Sequence, residues 1–446
     1  MFICSKCGYQ SPKWLGKCPA CDSWQSFEEL EDFSRKSEVE IIKEKNTRPL
    51  LLEEIKRTEF KRIPIQIESL DGLLGGGIVK GEVILIGGEP GVGKSTLLLE
   101  VAQNLSSQGK VLYVCAEESP QQITLRAERL NIKNCKNLYF YPEDNLYKVY
   151  EEAKKDKFNF LIVDSIQVVY LPKVEASRGS ISQVKECANF LTQLAKSLNI
   201  VVFIIGHVTK EGAIAGPKLL EHIVDCVLYF ETEVSSNFRI LRSIKNRFGP
   251  SGEIAAFEMT SRGLKEAKNL GKVFLPHKNR GVSGSTVVCI IEGTKPLLVE
   301  LQALVSKAGF GIVKRRALGF DFNRFLLLLA VIEKRLKISL SSDDVFLNVS
   351  GGLRITDPSA DLGASLAIIS SFKDKEVLPD TVFIGEIGLA GEVRAVSNIS
   401  MRIKEIKRLG FKKIVVPQEN LKEIKKKEEL EIISLNSLKE AMRFLK

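Results

Sequence analysis

From Ile63 to Arg262, short apolar runs rich in β-branched residues recur along the chain: Val83–Ile86, Val111–Cys115, Phe160–Val163, Ile200–Ile205 and Cys226–Phe230. Between several of them, apolar positions recur at helical spacing, as in Ser95–Ser107 and Ser182–Ser197. A short unbroken apolar run fits a strand buried on both faces, and helices between such strands supply the cover. The pattern predicts an α/β domain over 63–265 built on a largely parallel sheet with helices on both sides. The remainder, 266–446, mixes helical patterns (Arg324–Leu336, Asp361–Ser371, Ser400–Leu409) with strand patterns (Asp344–Val349, Thr381–Ile384, Lys413–Val416), which predicts a separate α+β domain. Residues 28–62 are rich in Glu, Lys and Arg without apolar periodicity and read as a solvated linker. Residues 1–27 are too few to fold on a core of their own.

Composition sharpens this reading in two places. With 446 residues, 44% hydrophobic and 27% charged, the chain has material for real cores and is not disordered. Lys and Arg number 65 against 55 Asp and Glu, a net charge of +10 that suits a polyanionic partner such as DNA. The excess concentrates in 263–316, where Lys278, Arg280, Lys314, Arg315 and Arg316 read as a solvated face or as a contact surface for a polyanion, the channel of a ring included. Apolar runs such as Phe325–Ile332 are too short to span a bilayer, so no membrane partner is expected. Met1 leads straight into Phe2-Ile3-Cys4 without the features of a secretory signal, so the expected setting is a reducing cytoplasm.

In that setting clustered cysteines read as metal ligands. Four of the nine stand as Cys4-x2-Cys7 and Cys18-x2-Cys21, two knuckles whose thiolates suit one tetrahedral Zn²⁺. A closed set of four thiolates leaves no open coordination position, so the zinc is structural and supplies the folding energy of the lobe. Trp14 and Trp24, the only tryptophans, lie in or beside the loop between the knuckles.

Gly88-Glu89-Pro90-Gly91-Val92-Gly93-Lys94-Ser95, followed by Thr96, matches the phosphate-binding loop GxxxxGK[ST] and stands between a strand pattern and a helix pattern. Its glycines let backbone N–H groups turn toward phosphates, Lys94 is placed to reach the β- and γ-phosphates, and the Ser95 hydroxyl to hold Mg²⁺. Phe160–Val163 ends in Asp164, the carboxylate expected to hold Mg²⁺ from a neighbouring strand. Glu117 and Glu118 follow Val111–Cys115 and are both candidates for the base that orients water, with Glu117 preferred. No Asn/Thr-Lys-x-Asp guanine reader is present, which favours ATP.

Leu70-Asp71-Gly72-Leu73-Leu74-Gly75-Gly76-Gly77, with Gly81, leading into the phosphate loop resembles the RecA superfamily of ATPases. Together with the cysteine knuckles and Lys245-Asn246-Arg247-Phe248-Gly249, the whole chain is similar to the bacterial RadA (Sms) family of DNA repair ATPases. The resemblance implies a RecA-like P-loop core between an N-terminal Cys4 zinc knuckle and a C-terminal Lon-protease-like domain. It implies a homo-hexameric motor on single-stranded DNA that drives branch migration of branched intermediates, with a recombinase as partner. It casts Lys245 and Arg247 as residues acting near the neighbouring subunit's nucleotide, and His207 as a sensor of the γ-phosphate. Lys173, Arg178, Lys210 and Lys218 would then lie in DNA-facing loops. Read without the resemblance, Lys245–Gly249 is only a basic turn before Pro250. In the C-terminal domain Ser359 falls at the Lon nucleophile position and Ser400 at that of the lysine base, with Lys404 out of register, so no peptidase activity is expected.

Overall fold

The computed structural model describes residues 2–4, 10–11, 13–29, 51, 61–133, 135–207, 220–232, 238–267, 274–275, 282–309, 312–424 and 430–446. Cys7, most of the linker, Lys210, Lys218, Lys278 and Arg280 lie outside them. The first 29 residues carry a small antiparallel sheet of β1 (Phe2–Cys4), β2 (Gln10–Ser11) and β3 (Phe27–Glu29), in the order β2-β1-β3.

After the short helix α1 (Glu68–Leu73), strand and helix alternate as the apolar pattern predicts. β4 (Val83–Gly88), α2 (Lys94–Ser106), β5 (Val111–Cys115), α3 (Pro120–Arg129), β6 (Leu138–Tyr141), α4 (Leu146–Lys155), β7 (Phe160–Asp164), α5 (Ile181–Leu198), β8 (Val201–His207) and β9 (Cys226–Thr232) follow in order. The helix starts are written in the sequence. Ser119 caps α3 in a reciprocal box with Gln122, and Ser180 caps α5 through the Gln183 N–H. The six strands β9-β4-β8-β7-β5-β6 pair in parallel. Their side chains alternate between two cores: Ile84 and Ile86 pack with α2 on one face, Val83 and Leu85 with α4 and α5 on the other.

The sheet then continues differently from the sequence-based expectation. β10 (Phe238–Asn246), β11 (Ile254–Thr260) and β12 (Gly263–Glu266) extend it antiparallel, giving nine strands in the order β12-β11-β10-β9-β4-β8-β7-β5-β6. Lys245 and Asn246 therefore belong to the end of a strand rather than to a turn. Charges interrupt the apolar alternation of Phe238–Asn246, which hides the strand from a periodicity count.

The last part is a second sheet of seven strands, in the order β15-β16-β14-β13-β17-β20-β21. These are β13 (Ser285–Glu292), β14 (Lys295–Lys307), β15 (Arg315–Leu318), β16 (Asp343–Val349), β17 (Thr381–Phe383), β20 (Lys413–Pro417) and β21 (Glu431–Leu435). β18 (Glu386–Ile387) and β19 (Val393–Arg394) form a separate small hairpin. Helices α6 (Phe322–Leu336) and α7 (Asp361–Lys373) cover one face of the large sheet and α8 (Ile399–Arg408) the other. Ile240, Ile254 and Ala256 of the β10–β11 hairpin share the first of these cores with Val288 and Ile290. Arg242 pairs with Glu292, and Glu253 receives Lys295 at 3.1 Å and the Thr294 N–H at 2.9 Å. The antiparallel extension is thus the piece of the nine-stranded sheet that meets the second domain. Among the described residues no helix is long and apolar enough to cross a membrane.

Glu82, just ahead of β4, is buried with its carboxylate on the Val79 N–H at 2.8 Å, close to Asp225. Burial is the main cause that pushes its pKa up to about 7. The folded chain therefore holds this proton more tightly than the unfolded one. That stabilisation is whole below the unfolded value and is lost as the pH rises through about 7. Glu82→Gln, which keeps an acceptor for Val79, should stabilise the protein at pH 8 by roughly 2–3 kcal/mol and have far less effect at pH 4.5, as urea unfolding at the two pH values will measure.

Candidate nucleotide site

The phosphate loop lies where β4 hands over to α2. Gly88 has φ 153°, and a Cβ there would stand 2.8 Å from the Phe230 carbonyl of β9. Gly93 has φ 114°, and a Cβ would meet the Met259 methyl at 2.9 Å. Gly88 excludes a side chain by strain and by space, Gly93 by strain, since the methionine methyl can move aside. Gly93 is also the N-cap of α2, and no side chain caps that helix start. Its first amides thus face the loop and offer the positive end of the helix to an anion.

The loop opens on a cavity of about 500 Å³ that gathers Pro90, Gly91, Gly93, Lys94, Ser95 and Thr96 with Glu117, Glu118, Asp164 and His207. Lys94 is buried, its ammonium donating to the carbonyls of Gly88 and Glu89, each at 2.8 Å. Burial lowers its pKa to about 8, while Asp164, Glu117 and Glu89 pull it upward. Asp164 ends β7 and is buried; the Tyr113 hydroxyl donates to it at 2.9 Å, and Ser95 lines the same cavity. Burial raises the Asp164 pKa, and the Ser95 and Tyr113 hydroxyls counter that rise. A lysine, a hydroxyl and a buried carboxylate converging at a helix start fit a Mg²⁺-bound nucleoside triphosphate in donor chemistry and in space.

The two glutamates after β5 separate here. Glu118 is held in an ion pair by Arg126 of α3. Glu117, on the same cavity, lies 3.2 Å from Nε2 of His207 at the end of β8. The His207 carbonyl in turn accepts from the Gln167 side chain at 3.2 Å. Arg126, Arg129, Arg239 and Met259 also line the cavity and were not singled out in the sequence. Arg239 and Met259 arrive on β10 and β11, so no local pattern marks them. Arg126 and Arg129 carry only helical spacing on α3 as a signal.

Lys245 and Arg247 are not in this cavity. Asn246 pairs with Cys226, which pairs with Ile84 at the amino end of β4, whereas the phosphate loop leaves from its carboxyl end. The four residue steps from Ile84 to Gly88 put about 13 Å of strand between the two levels. At this far end Lys245 donates to the carbonyls of Glu221 and Val224, and Arg247 pairs with the buried Asp225 at 3.1 Å. Asp225 also accepts the Val83 N–H at 3.2 Å, so the basic motif is tied to the first residue of the phosphate-loop strand. Arg62 adds a clamp, donating to Leu74 and Gly77 at 2.9 Å each and to the Phe248 carbonyl.

In the amino-terminal lobe the thiols of Cys4, Cys18 and Cys21 lie within 4.8 Å of one another, and Cys4 and Cys21 are 3.7 Å apart. Sulfurs at the corners of a tetrahedron with Zn–S bonds of about 2.3 Å stand roughly 3.8 Å apart, so this set fits zinc. Trp14 and Trp24 remain exposed. Of the basic candidates elsewhere, Lys173, Lys314 and Arg316 are exposed, Arg178 pairs with Asp144 over the Tyr170 ring, and Arg315 is spent on the carbonyls of Leu340 and Asp343.

In the second domain the Ser359 hydroxyl is buried and takes a hydrogen bond from Arg402 at 2.8 Å. The same guanidinium bonds the Cys289 and Ser397 carbonyls and pairs with Asp357 at 2.8 Å. Ser400 and Lys404 are exposed on α8. The cation at this serine is therefore Arg402, which neither the nucleophile position nor the base position had indicated.

Three family models match the chain: the rubredoxin metal binding domain over residues 2–29, the AAA domain over 48–213, and subunit ChlI of Mg-chelatase over 328–420. DNA repair protein RadA of Streptococcus pyogenes serotype M6 is 46% identical over 444 residues, covering 99% of this chain and 98% of that protein. DNA repair protein RadA of Aquifex aeolicus is 47% identical over 444 residues, covering 100% and 98%, and that of Bacillus subtilis 45% over 447 residues, covering 99% and 97%. Among solved structures, one ATPase domain aligns at a TM-score of 0.39 with 15% identity, over 48% of this chain and 94% of that one. With a phosphate-loop core, a thiol cluster ahead of it and a second α/β sheet behind it, and with this identity from end to end, the chain belongs to the family of the DNA repair protein RadA.

Proposed function

We propose that the chain is an ATP-driven motor of DNA repair that acts on single-stranded and branched DNA in the cytoplasm, works as a ring of six copies, and promotes branch migration beside a recombinase. The observation that carries this reading is the separation of charge along β4. The phosphate loop stands at its carboxyl end, and Lys245 and Arg247 stand at its amino end, out of reach of their own cavity. Two cations so fixed on the outer end of a sheet serve hydrolysis only if a neighbouring copy presents its nucleotide to them. In that arrangement Arg247 delivers charge in trans to the γ-phosphoryl group as it leaves.

Within one copy the roles follow from the contacts. Lys94 exchanges the Gly88 and Glu89 carbonyls for phosphate oxygens, and the amides at the start of α2 bind the rest of the phosphate chain. Ser95 and Asp164 hold Mg²⁺, which when bound neutralises charge on the phosphoryl oxygens. Glu117, not occupied by Arg126, orients the attacking water and takes its proton. His207 couples Glu117 to the chain that follows β8, the direction in which a DNA-facing loop is expected. Exposed cations such as Lys173 and Arg316 are suited to phosphate contacts.

A peptidase is disfavoured by the Ser359 environment. Its nucleophile needs a base, and the group on its oxygen is an arginine, which offers donors and no acceptor. The second domain is then a scaffold and DNA contact rather than a second enzyme.

Mixing two defective variants tests the trans arrangement. Lys94→Ala lacks its own turnover but keeps the arginine, and Arg247→Ala keeps its own cavity, each alone losing about a thousandfold or more in DNA-stimulated ATP hydrolysis. Mixed in equal amounts they should regain a measurable fraction, because some Arg247→Ala sites then face an intact neighbour; a mixture as inactive as its parts refutes the assignment. Cys18→Ser should lose zinc by metal analysis of the purified full chain, with a change in tryptophan emission, since both tryptophans lie in that lobe; one retained equivalent of zinc refutes the thiolate site.

A further inference from the structure

β5 contributes Val111, Leu112, Tyr113, Val114 and Cys115 to the sheet, all buried, and the Tyr113 hydroxyl is the one oxygen among their side chains. A phenol in that position costs stability unless its hydroxyl is bonded. It donates to Oδ2 of Asp164 at 2.9 Å. The bond follows from register: Cys115 of β5 lies opposite Asp164 of β7, so Tyr113, two residues earlier, shares its face and reaches along the sheet to the carboxylate. The ring is packed in the core beneath α2 and lies 5.5 Å from the Phe140 ring on the adjacent strand, which leaves the hydroxyl little freedom.

We propose that Tyr113 is a positioning residue of the ATPase site, its hydroxyl fixing the Asp164 carboxylate in the orientation that holds the nucleotide's metal ion. This rests on the reading of Asp164 as the metal-holding carboxylate. By occupying Oδ2 from the core side, Tyr113 determines which oxygen lone pairs turn to the cavity. Without it the carboxylate regains rotational freedom and one of its lone pairs is left without a donor in a dry setting. An apolar side chain of the same shape would fill the strand equally well, so packing alone does not call for the hydroxyl.

The test uses the full chain with Tyr113→Phe, read by binding of a fluorescent ATP analogue in EDTA and in a Mg²⁺ titration, with Mn²⁺ electron paramagnetic resonance as a second readout. Nucleotide affinity in EDTA should be unchanged, because the phosphate loop is untouched. The Mg²⁺ concentration that gives half of the metal-dependent gain should rise about tenfold or more, the usual worth of a hydrogen bond to a charged group. Bound Mn²⁺ should be weakened in parallel. 3-Fluorotyrosine at position 113 keeps both ring and hydroxyl and should restore the wild-type half-point. An unchanged half-point in Tyr113→Phe overturns the proposal, and so does an equal loss of affinity with and without metal, which would mark a packing role. Asp164→Asn run alongside separates the two readings: if it leaves the metal half-point where it was, Asp164 does not hold the metal. If Asp164→Asn moves the half-point and Tyr113→Phe does not, only the positioning role fails.

Discussion

Strand β4 is the constraint on which the rest depends. It is buried on both faces and paired on both edges, so neither its register nor its direction has freedom. Its carboxyl end releases the phosphate loop into α2, and its first amide bonds Asp225, which carries Arg247. A rigid strand thus sets the distance between the nucleotide cavity and the cationic motif. Ring assembly, as proposed, would use that fixed distance: each copy presents its motif at one end and its nucleotide at the other. Arg62 and Asn246 brace the motif against the glycine-rich turn after α1, so backbone carbonyls add to the Arg247–Asp225 pair in setting its geometry.

Crowding of acids governs the chemistry at the carboxyl end. Asp164, Glu117 and Glu118 converge around one lysine, and each answers its charge in a different way. Asp164 accepts from the Tyr113 hydroxyl, Glu118 is neutralised by Arg126, and Glu117 faces His207. Three carboxylates so acquire distinct surroundings, which the proposed division between a metal ligand and a water-orienting base requires. Lys94, desolvated and bonded to carbonyls of its own loop, waits beside them with a lowered pKa.

The second domain shows a related economy around Ser359. Arg402 is fully buried, which is costly for a guanidinium without partners, and it has four: the Ser359 hydroxyl, the Asp357 carboxylate and two carbonyls. It ties α8 to β13 and to the turn that opens α7. These bonds hold the three elements together.

The alternation of apolar runs and helical spacings by itself determined the parallel part of the ATPase sheet, because a strand buried on both faces must be apolar throughout and a helix between two such strands must be amphipathic. The phosphate loop was legible for a similar reason: Gly88 and Gly93 sit where only glycine fits, and Lys94 and Ser95 follow at the start of a helix. The cysteine knuckles were legible because their spacing is itself the chemistry, and the described thiols Cys4, Cys18 and Cys21 do converge. Tertiary structure alone decided the rest. The antiparallel strands β10–β12 carry charges that blur their period, so Arg239 and Met259 reached the cavity unannounced. The choice of surroundings for Glu117 and Glu118 depended on where α3 and β8 bring Arg126 and His207, positions far apart in sequence or on another element. The bonds of Tyr113 to Asp164 and Arg402 to Ser359 join residues 51 and 43 positions apart. A chain order records no such distances; they arise only when strands and helices pack, since hydrogen bonds act over about 3 Å and their partners are chosen by the fold.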